Sequence, residues 1–213
     1  MQFGVSLPHY GGPFLVDSLR RVVQRAEEMG YDSAWVGDHI VTPRHFAAAV
    51  GPFFYDAFIV LSHVAAFTRR LRLGTSVIVL PYRSPLAVAK MVATLDAMSG
   101  GRVVLGIGAG NAPDEFQALG IPEAGRGRRT NEYLEAMINL WTQEPASFSG
   151  TYVNFQGAHF EPKPAQKPHP PIWVGGHSQG ALRRAVSYGH AWHSGGLAPD
   201  RMAEAVASLR KLR

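Results

Sequence analysis

Asp38 and His39 stand side by side where a short apolar run, residues 33–38, ends. An imidazole changes charge near neutral pH, so His39 suits acid–base or electrostatic work on a substrate. Asp38 has two interpretations, because its carboxylate can orient the imidazole or cap a loop. Further polar residues stand at the ends of other apolar runs: His9, Ser76, Asn111, His177, Ser178 and His193. Together they are candidates for one shared site.

Two glycine clusters follow apolar runs and allow a ligand to approach the backbone closely. The first, "GIGAGN" (106–111), contains Gly108, Ala109, Gly110 and Asn111. Alone it is weak evidence, because the following "APDEF" does not predict the helix that a dinucleotide motif opens at once. The second is stronger: Gly175 and Gly176 precede Ser178, a predicted helix N-cap, and free backbone N–H groups at a helix start bind phosphate. A capped turn without a ligand is the alternative.

Apolar runs alternate with helical patterns along the whole chain. The runs are residues 2–8, 33–38, 71–80, 102–110, 171–176 and 191–196. Continuous apolar runs of this kind are typical of parallel strands buried on both faces, so the pattern predicts an α/β fold of six β/α units. In a β/α barrel the carboxyl ends of the strands share one mouth, where functional groups gather. The polar residues above are therefore expected to meet there.

The chain is predicted to be a single domain, residues 1–213. Residues 145–170 interrupt the alternation with short β-like stretches and prolines, and they are predicted to be an insertion over the barrel mouth. Because an eight-unit barrel usually needs about 250 residues, we expect a fragment, a naturally short barrel, or one that a partner completes. Open sheet edges favour self-association, so a homodimer or higher homo-oligomer is expected.

The composition is that of an ordinary globular protein. The 213 residues are 46% hydrophobic and 17% charged, and they include no cysteine, which excludes disulfides and thiol chemistry. Neither a leader nor an apolar run long enough for a bilayer is visible, so a cytoplasmic protein without a membrane partner is expected. The net charge of +5 tolerates an anionic ligand. The basic residues are scattered, so no nucleic-acid partner is predicted.

The chain resembles the luciferase-like monooxygenase superfamily, and within it the coenzyme F420-dependent oxidoreductases of actinobacteria. The matching stretches include "AEEMGYDSAWVGDHI", "RLRLGTSVIVLPYRSPLAVAKMVATLDAMSGGRVVLGIGAG" and "PKPAQKPHPPIWVGGHSQGALRRA". The resemblance implies a TIM-type (β/α)8 barrel, here shortened to about six units. It also implies hydride transfer between a deazaflavin, coenzyme F420, and a small organic substrate. FMN is the alternative cofactor.

The same resemblance implies roles for individual residues. Asp38 and His39 would lie against the deazaflavin ring, and His39 would be the acid–base or electrostatic group. Ser76 and Val77 would support the ring through a bulge with a cis peptide between them. The backbone of Gly108, Ala109, Gly110 and Asn111 would line the ring and ribityl chain, and Gly175, Gly176, His177 and Ser178 would take the phosphate. His9 and His193 are substrate-side candidates.

Three rival functions stay open. An FMN-dependent monooxygenase of the same superfamily would differ in the cofactor that it binds. A non-catalytic cofactor-binding or assembly protein would bind the cofactor without transferring hydride. A metal-dependent barrel hydrolase would need clustered ligands, but the first strand offers His9 with no carboxylate beside it. No metal site is therefore predicted.

Overall fold

The computed structural model describes residues 1–12 and 16–213, within which nine strands and eight α-helices are found. The strands are β1 (Gly4–Ser6), β2 (Ser33–Val36), β3 (Arg72–Thr75), β4 (Ile78–Val79), β5 (Val103–Gly108), β6 (Ala146–Ser149), β7 (Asn154–Ala158), β8 (Ile172–Gly175) and β9 (Ala191–His193). The helices are α1 (Val16–Glu28), α2 (Arg44–Val50), α3 (Ala57–Phe67), α4 (Pro85–Ser99), α5 (Pro113–Ala118), α6 (Arg126–Thr142), α7 (Gln179–Tyr188) and α8 (Pro199–Leu212).

Seven of the strands form one parallel sheet in the order β1-β2-β3-β5-β8-β9, with β4 also paired to β5. The sheet curls into a half-barrel, and the larger helices pack on its outer face and against one another. All six residues of the central strand β5 are buried, as expected for a strand covered on both faces. The predicted α/β fold and shortened barrel are confirmed. Within the described residues, no helix is both long and apolar enough to cross a bilayer.

The helix boundaries follow local capping rules. Helix α4 begins at Pro85 and ends before Gly100, which adopts a left-handed conformation with φ of 72°, as the sequence predicts. Helix α3 begins at Ala57, because the Asp56 carboxylate caps it by accepting from the N–H groups of Phe58 and Ile59. The expectation that "APDEF" opens no helix is wrong. The short helix α5 lies there, with Pro113 in its first turn.

The predicted third strand is divided by a bulge. Gly74 pairs with Val104 and Ile78 pairs with Ile107, so three residues of one strand face two of the other. The peptide between Ser76 and Val77 is cis, which confirms the prediction. The buried Thr75 hydroxyl fills the gap in the ladder. It donates to the Gly106 carbonyl at 2.7 Å and accepts from the Gly106 N–H at 2.8 Å.

Replacing Thr75 by valine is expected to lower the free energy of unfolding by about 1–3 kcal/mol, because Gly106 would keep two buried backbone groups without partners. Thr75→Ser is the matched control, since it keeps the hydroxyl and removes one methyl group worth about 0.8 kcal/mol. Urea unfolding of both variants measures the difference. A valine variant no less stable than the serine variant would contradict this role of the hydroxyl.

The segment 145–170, predicted as an insertion over the barrel mouth, makes its observed contacts with the helix α6 and with Asp96 of α4. Its strands β6 and β7 form an antiparallel hairpin on the outside of α6. There Glu132 accepts from the N–H groups of the hairpin turn, residues 151–153. Gln166 bonds to Asp96 and to the carbonyl of Val103, at the start of β5. The segment connects α6 to β8, and Gln166 near its end lies at the amino end of β5.

Candidate active site

A cavity of about 360 Å³ lies at the carboxyl ends of the first strands. This volume is within the range of small-molecule sites, about 300–1,000 Å³. It brings together many of the residues predicted from the sequence. Its lining residues are Ser6, His9, Tyr10, Gly37, Asp38, His39, Phe46, Phe54, Ser76, Val77, Val79 and Asn111. We call it the mouth cavity.

His39 is paired with Glu115, a residue that the sequence reasoning missed. The imidazole Nδ1 lies 2.7 Å from Glu115 Oε2, and the Glu115 side chain is fully buried. The other carboxylate oxygen accepts from the N–H groups of Ile40 and Val41 at 2.7 and 3.1 Å. Because a carboxylate only accepts, Nδ1 donates and Nε2 is left for a ligand. No hydrogen-bond partner of Nε2 lies within residues 1–12 and 16–213.

Tyr82 completes the surroundings of Glu115 from the inner side. Burial, the charge of Glu115 and a side-chain hydrogen bond to it raise the pKa of the Tyr82 hydroxyl. The phenol therefore stays protonated beside the carboxylate. Glu115 is thus held by the N–H groups of Ile40 and Val41, which gives the His39 imidazole a fixed partner.

The interpretation that Asp38 orients His39 is wrong. The Asp38 side chain is fully buried, and Arg83 donates to both of its oxygens, at 2.7 and 2.8 Å. The N–H of Val79 donates to the same carboxylate at 2.9 Å. These bonds agree with the loop-capping alternative. Asp38 joins the end of β2 to β4, and the orientation of the imidazole depends on Glu115.

His9 is bound by the backbone on both sides of its ring. Its Nδ1 lies 2.8 Å from the carbonyl oxygen of Leu7, and the N–H of Gly37 donates to Nε2 at 2.8 Å. Burial lowers the pKa of the His9 imidazole, more than its hydrogen bonds raise it. The ring is therefore neutral at neutral pH and links the ends of β1 and β2. A substrate-side role for His9 finds no support in this geometry, because neither nitrogen is available.

His193 reaches the bulge from the far side of the half-barrel. Its Nε2 lies 2.7 Å from the hydroxyl of Ser76, and its ring stacks near Trp35 at a centroid distance of 6.0 Å. Burial lowers the pKa of the imidazole. The structure thus brings His193 together with Ser76, a residue that lines the mouth cavity. A substrate role for His193 remains a prediction.

Acidification is expected to lower the free energy of unfolding through His9 and His193. Burial places the pKa of both imidazoles below the usual 6.5 in the folded protein. The unfolded chain then binds more protons, so this stability is present above about pH 6.5 and is lost as the pH falls toward the folded pKa. Denaturant unfolding between about pH 8 and pH 5 measures it. His193→Gln should show a shallower decline, and an unchanged slope would contradict the assignment.

The last residues of β5 and β8 are glycines that make room for the Val77 side chain. A Cβ atom at Gly108 would lie 2.8 Å from Val77 Cγ2, and one at Gly175 would lie 3.0 Å from Val77 Cγ1. Gly110 has a φ of +81°, which side chains rarely adopt, and it is partly exposed like its neighbour Ala109. These glycines thus fix the bulge at the cavity wall.

The residues that follow β8 lie at the carboxyl end of that strand, as the mouth cavity does for the first strands, but they do not line the cavity. Ser178 caps α7 by accepting from the N–H of Ala181 at 3.2 Å, as predicted. Gly176 has a φ of +106°, and Gly176, His177 and Ser178 are exposed. The His177 imidazole contacts the carbonyl oxygen of Ser194. The start of α7 is therefore open to solvent.

Glu115 and Arg83 are the functional residues that sequence reasoning missed. Glu115 is 76 positions from His39, and Arg83 is 45 positions from Asp38, so no local pattern joins them. A weak signal existed for each. Both are charged residues placed shortly after predicted strands, in "APDEF" and "LPYRS", where the mouth of a barrel collects functional groups.

Comparisons with known proteins show the family of the chain. The family profile described as luciferase-like monooxygenase matches residues 1–213. An uncharacterized protein of Mycobacterium tuberculosis is 34% identical over 206 residues, which cover 90% of this chain and 70% of that protein. The FMNH(2)-dependent dimethylsulfone monooxygenase of Pseudomonas putida is 33% identical over 170 residues, covering 78% of this chain and 45% of that enzyme.

Among solved structures, the monooxygenase RslO1 from Streptomyces bottropensis matches with a TM-score of 0.86 and 27% identity. The match covers 100% of this chain, which spans 65% of the RslO1 chain. The family profile and the RslO1 structure therefore both match the whole length of this sequence. The chain belongs to the luciferase-like monooxygenase family.

Proposed function

We propose that the protein is a deazaflavin-dependent oxidoreductase that uses coenzyme F420 to transfer hydride to or from a small organic substrate. The observation that carries the proposal is the His39–Glu115 pair at the mouth cavity, with Nδ1 held at 2.7 Å and Nε2 left for a ligand. Interconversion of an alcohol and a carbonyl group requires a proton at oxygen as well as hydride at carbon. An imidazole with a buried carboxylate behind it suits that proton.

The mouth cavity fits a planar ring. Val77 and the aromatic side chains of Phe46 and Phe54 supply apolar walls. A Cβ atom at Gly37 would lie 3.3 Å from Phe54 Cζ and 3.5 Å from His9 Nε2, so glycine lets these two rings pack close to the end of β2. When bound, a deazaflavin would supply the carbon that gives or accepts the hydride. The bulge residues and Asn111 would hold the ring.

The start of α7 would bind the phosphate of the cofactor. Residues 176–180 around this start are exposed, and the helix dipole favours an anion there. The ten-residue length of α7 is enough for the aligned peptide dipoles to act together. His177 lies between Gly176 and Ser178 in the chain, and its imidazole would limit the phosphate to one side of the helix start.

His39 would exchange a proton with the substrate oxygen through Nε2. When Nε2 accepts a proton, the imidazole becomes positive and the buried Glu115 carboxylate, 2.7 Å from Nδ1, stabilises that charge. The N–H groups of Ile40 and Val41 keep the carboxylate in place. The rings of Phe46 and Phe54, at centroid distances of 5.0 and 4.9 Å from the imidazole, restrict its rotation and exclude water.

An FMN-dependent monooxygenase is the second candidate function. It is favoured by the Pseudomonas putida relative, which is named as FMNH(2)-dependent and is 33% identical over 170 residues. The same walls of the mouth cavity would accept either ring. In that reaction His39 would serve a proton step on an oxygenated substrate, so the role of the residue does not separate the two candidates.

Cofactor titration tests the proposal. Coenzyme F420 and FMN are added separately to the purified protein, and binding is followed by absorption and by quenching of tryptophan fluorescence. We expect coenzyme F420 to bind more tightly, and the reduced form to pass hydride to a panel of small ketones and aldehydes without oxygen. Tighter FMN binding with oxygen-dependent turnover would establish the second candidate, and binding of neither cofactor would refute both.

A further inference from the structure

Arg83 bonds to the two residues that flank the segment 39–55, Asp38 and Asp56. Residues of this segment form one side of the mouth cavity. Its Nη1 and Nη2 donate to the two oxygens of Asp38, the residue just before this segment, at 2.7 and 2.8 Å. Nη2 also donates to Oδ2 of Asp56, the residue just after the segment, at 3.2 Å. One guanidinium group therefore joins the beginning and the end of the segment.

Each of the two carboxylates is also bonded to a rigid element. Asp38 accepts from the N–H of Val79 in β4 at 2.9 Å. Asp56 Oδ1 accepts from the first N–H groups of α3, those of Phe58 and Ile59, at 2.9 and 3.1 Å. The Arg83 fork thus connects the end of β2, the strand after the bulge and the start of α3.

The segment 39–55 carries the groups on which the proposed proton transfer depends. It begins with His39, and the N–H groups of Ile40 and Val41 hold the Glu115 carboxylate. It also contains Phe46 and Phe54, whose rings contact the His39 imidazole. A shift of this segment would move His39 Nε2, and misplacement by about 1 Å can cost about 100-fold in rate.

The contacts of Arg83 require a guanidinium group. The Arg83 side chain is 13% exposed, Asp38 is fully buried and Asp56 is 43% exposed. Burial alone would lower the pKa of Arg83. Its interactions with Asp38 and Asp56 outweigh burial and raise the pKa, so the group stays charged. A lysine ammonium is a single point and cannot serve the planar pair of Asp38 oxygens and Asp56 together.

We propose that Arg83 is a positioning residue, which holds His39 at the mouth cavity by fastening both ends of the segment 39–55. The effect on turnover rests on the proposed function. The fastening itself does not, because it concerns the order of the segment in the protein without cofactor or substrate.

Hydrogen exchange of the backbone amides tests the fastening. Arg83→Lys keeps the charge, and Asp56→Asn keeps an oxygen that can cap α3 while weakening the bond to Arg83. Arg102→Met is the matched control, because that partly buried guanidinium bonds to Thr68, Leu71 and Ala65 at the opposite end of the sheet. We expect exchange between residues 40 and 55 to be about tenfold faster in Arg83→Lys and less affected in Asp56→Asn. In Arg102→Met it should follow global stability alone.

Two further readouts separate positioning from general stability. Nitrogen NMR of the His39 imidazole should show the Nδ1–H form in the parent and an averaged signal in Arg83→Lys. With substrate, Arg83→Lys should lower kcat about tenfold or more and leave cofactor affinity nearly unchanged. Unchanged exchange between residues 40 and 55, or an unchanged His39 signal, would overturn the proposal. A parent protein that orders this segment through Arg83 but transfers no hydride would refute the proposed function and leave the fastening supported.

Discussion

Replacement of His39 by alanine is expected to lower kcat by about 10²–10⁴-fold, the usual contribution of a general acid–base group. The affinity for the cofactor should change little, because in the proposed function the imidazole would face the reaction and the bulge and the apolar walls of the mouth cavity would hold the ring. Glu115→Gln should have a smaller effect in the same direction, because it keeps an acceptor near Nδ1 but removes the charge that stabilises the protonated imidazole.

Steady-state kinetics and cofactor titration of each variant measure the two quantities separately. His159→Ala is the matched control. That imidazole is largely exposed on the hairpin, where it pairs with Glu144 far from the mouth cavity. A His39→Ala variant with the parental kcat would exclude the proton-transfer role. Loss of cofactor affinity with a normal kcat would instead make His39 a binding residue.

Asp38→Ala is expected to lower the free energy of unfolding by about 3–5 kcal/mol, the cost of breaking a buried ion pair from one side. The substitution leaves the Arg83 guanidinium, which is 13% exposed, without its bidentate partner. It also leaves the N–H of Val79 without an acceptor. The large effect on stability follows from burial, and it needs no catalytic role for the carboxylate.

Denaturant unfolding with a constant m-value measures this loss. The double variant Asp38→Leu with Arg83→Met should be more stable than Asp38→Ala alone, because both charges are then removed from the interior. Asp56→Ala is the comparison at the exposed end of the network, with an expected loss of about 1 kcal/mol from the helix cap. If Asp38→Ala unfolds within about 1 kcal/mol of the parent, the buried pair contributes far less than its geometry indicates.

The adjacency of Asp38 and His39 in the chain was misleading about their partners. Neighbouring residues in extended backbone project their side chains in different directions. Asp38 points into the protein toward Arg83, and His39 points toward Glu115 at the cavity. The sequence pair therefore contains one structural residue and one candidate catalytic residue.

The sequence by itself determined the architecture. Apolar runs predicted the parallel strands, and Ser178 predicted the start of a helix, because burial pattern and capping are properties of a few neighbouring residues. The prediction that polar residues meet at one mouth also followed, since parallel strands bring their carboxyl ends to one edge. His9, His39, Ser76 and Asn111 do lie together there.

Only the tertiary structure decided which side chains are partners. Glu115 lies 76 positions from His39 in the chain, and Ser76 lies 117 positions from His193. It also decided that the backbone binds both ring nitrogens of His9 and that the hairpin packs against α6. A hydrogen bond depends on distances of a few tenths of an ångström and on burial. Both are set by how the whole sheet curls and how its helices pack, which local residue patterns do not specify.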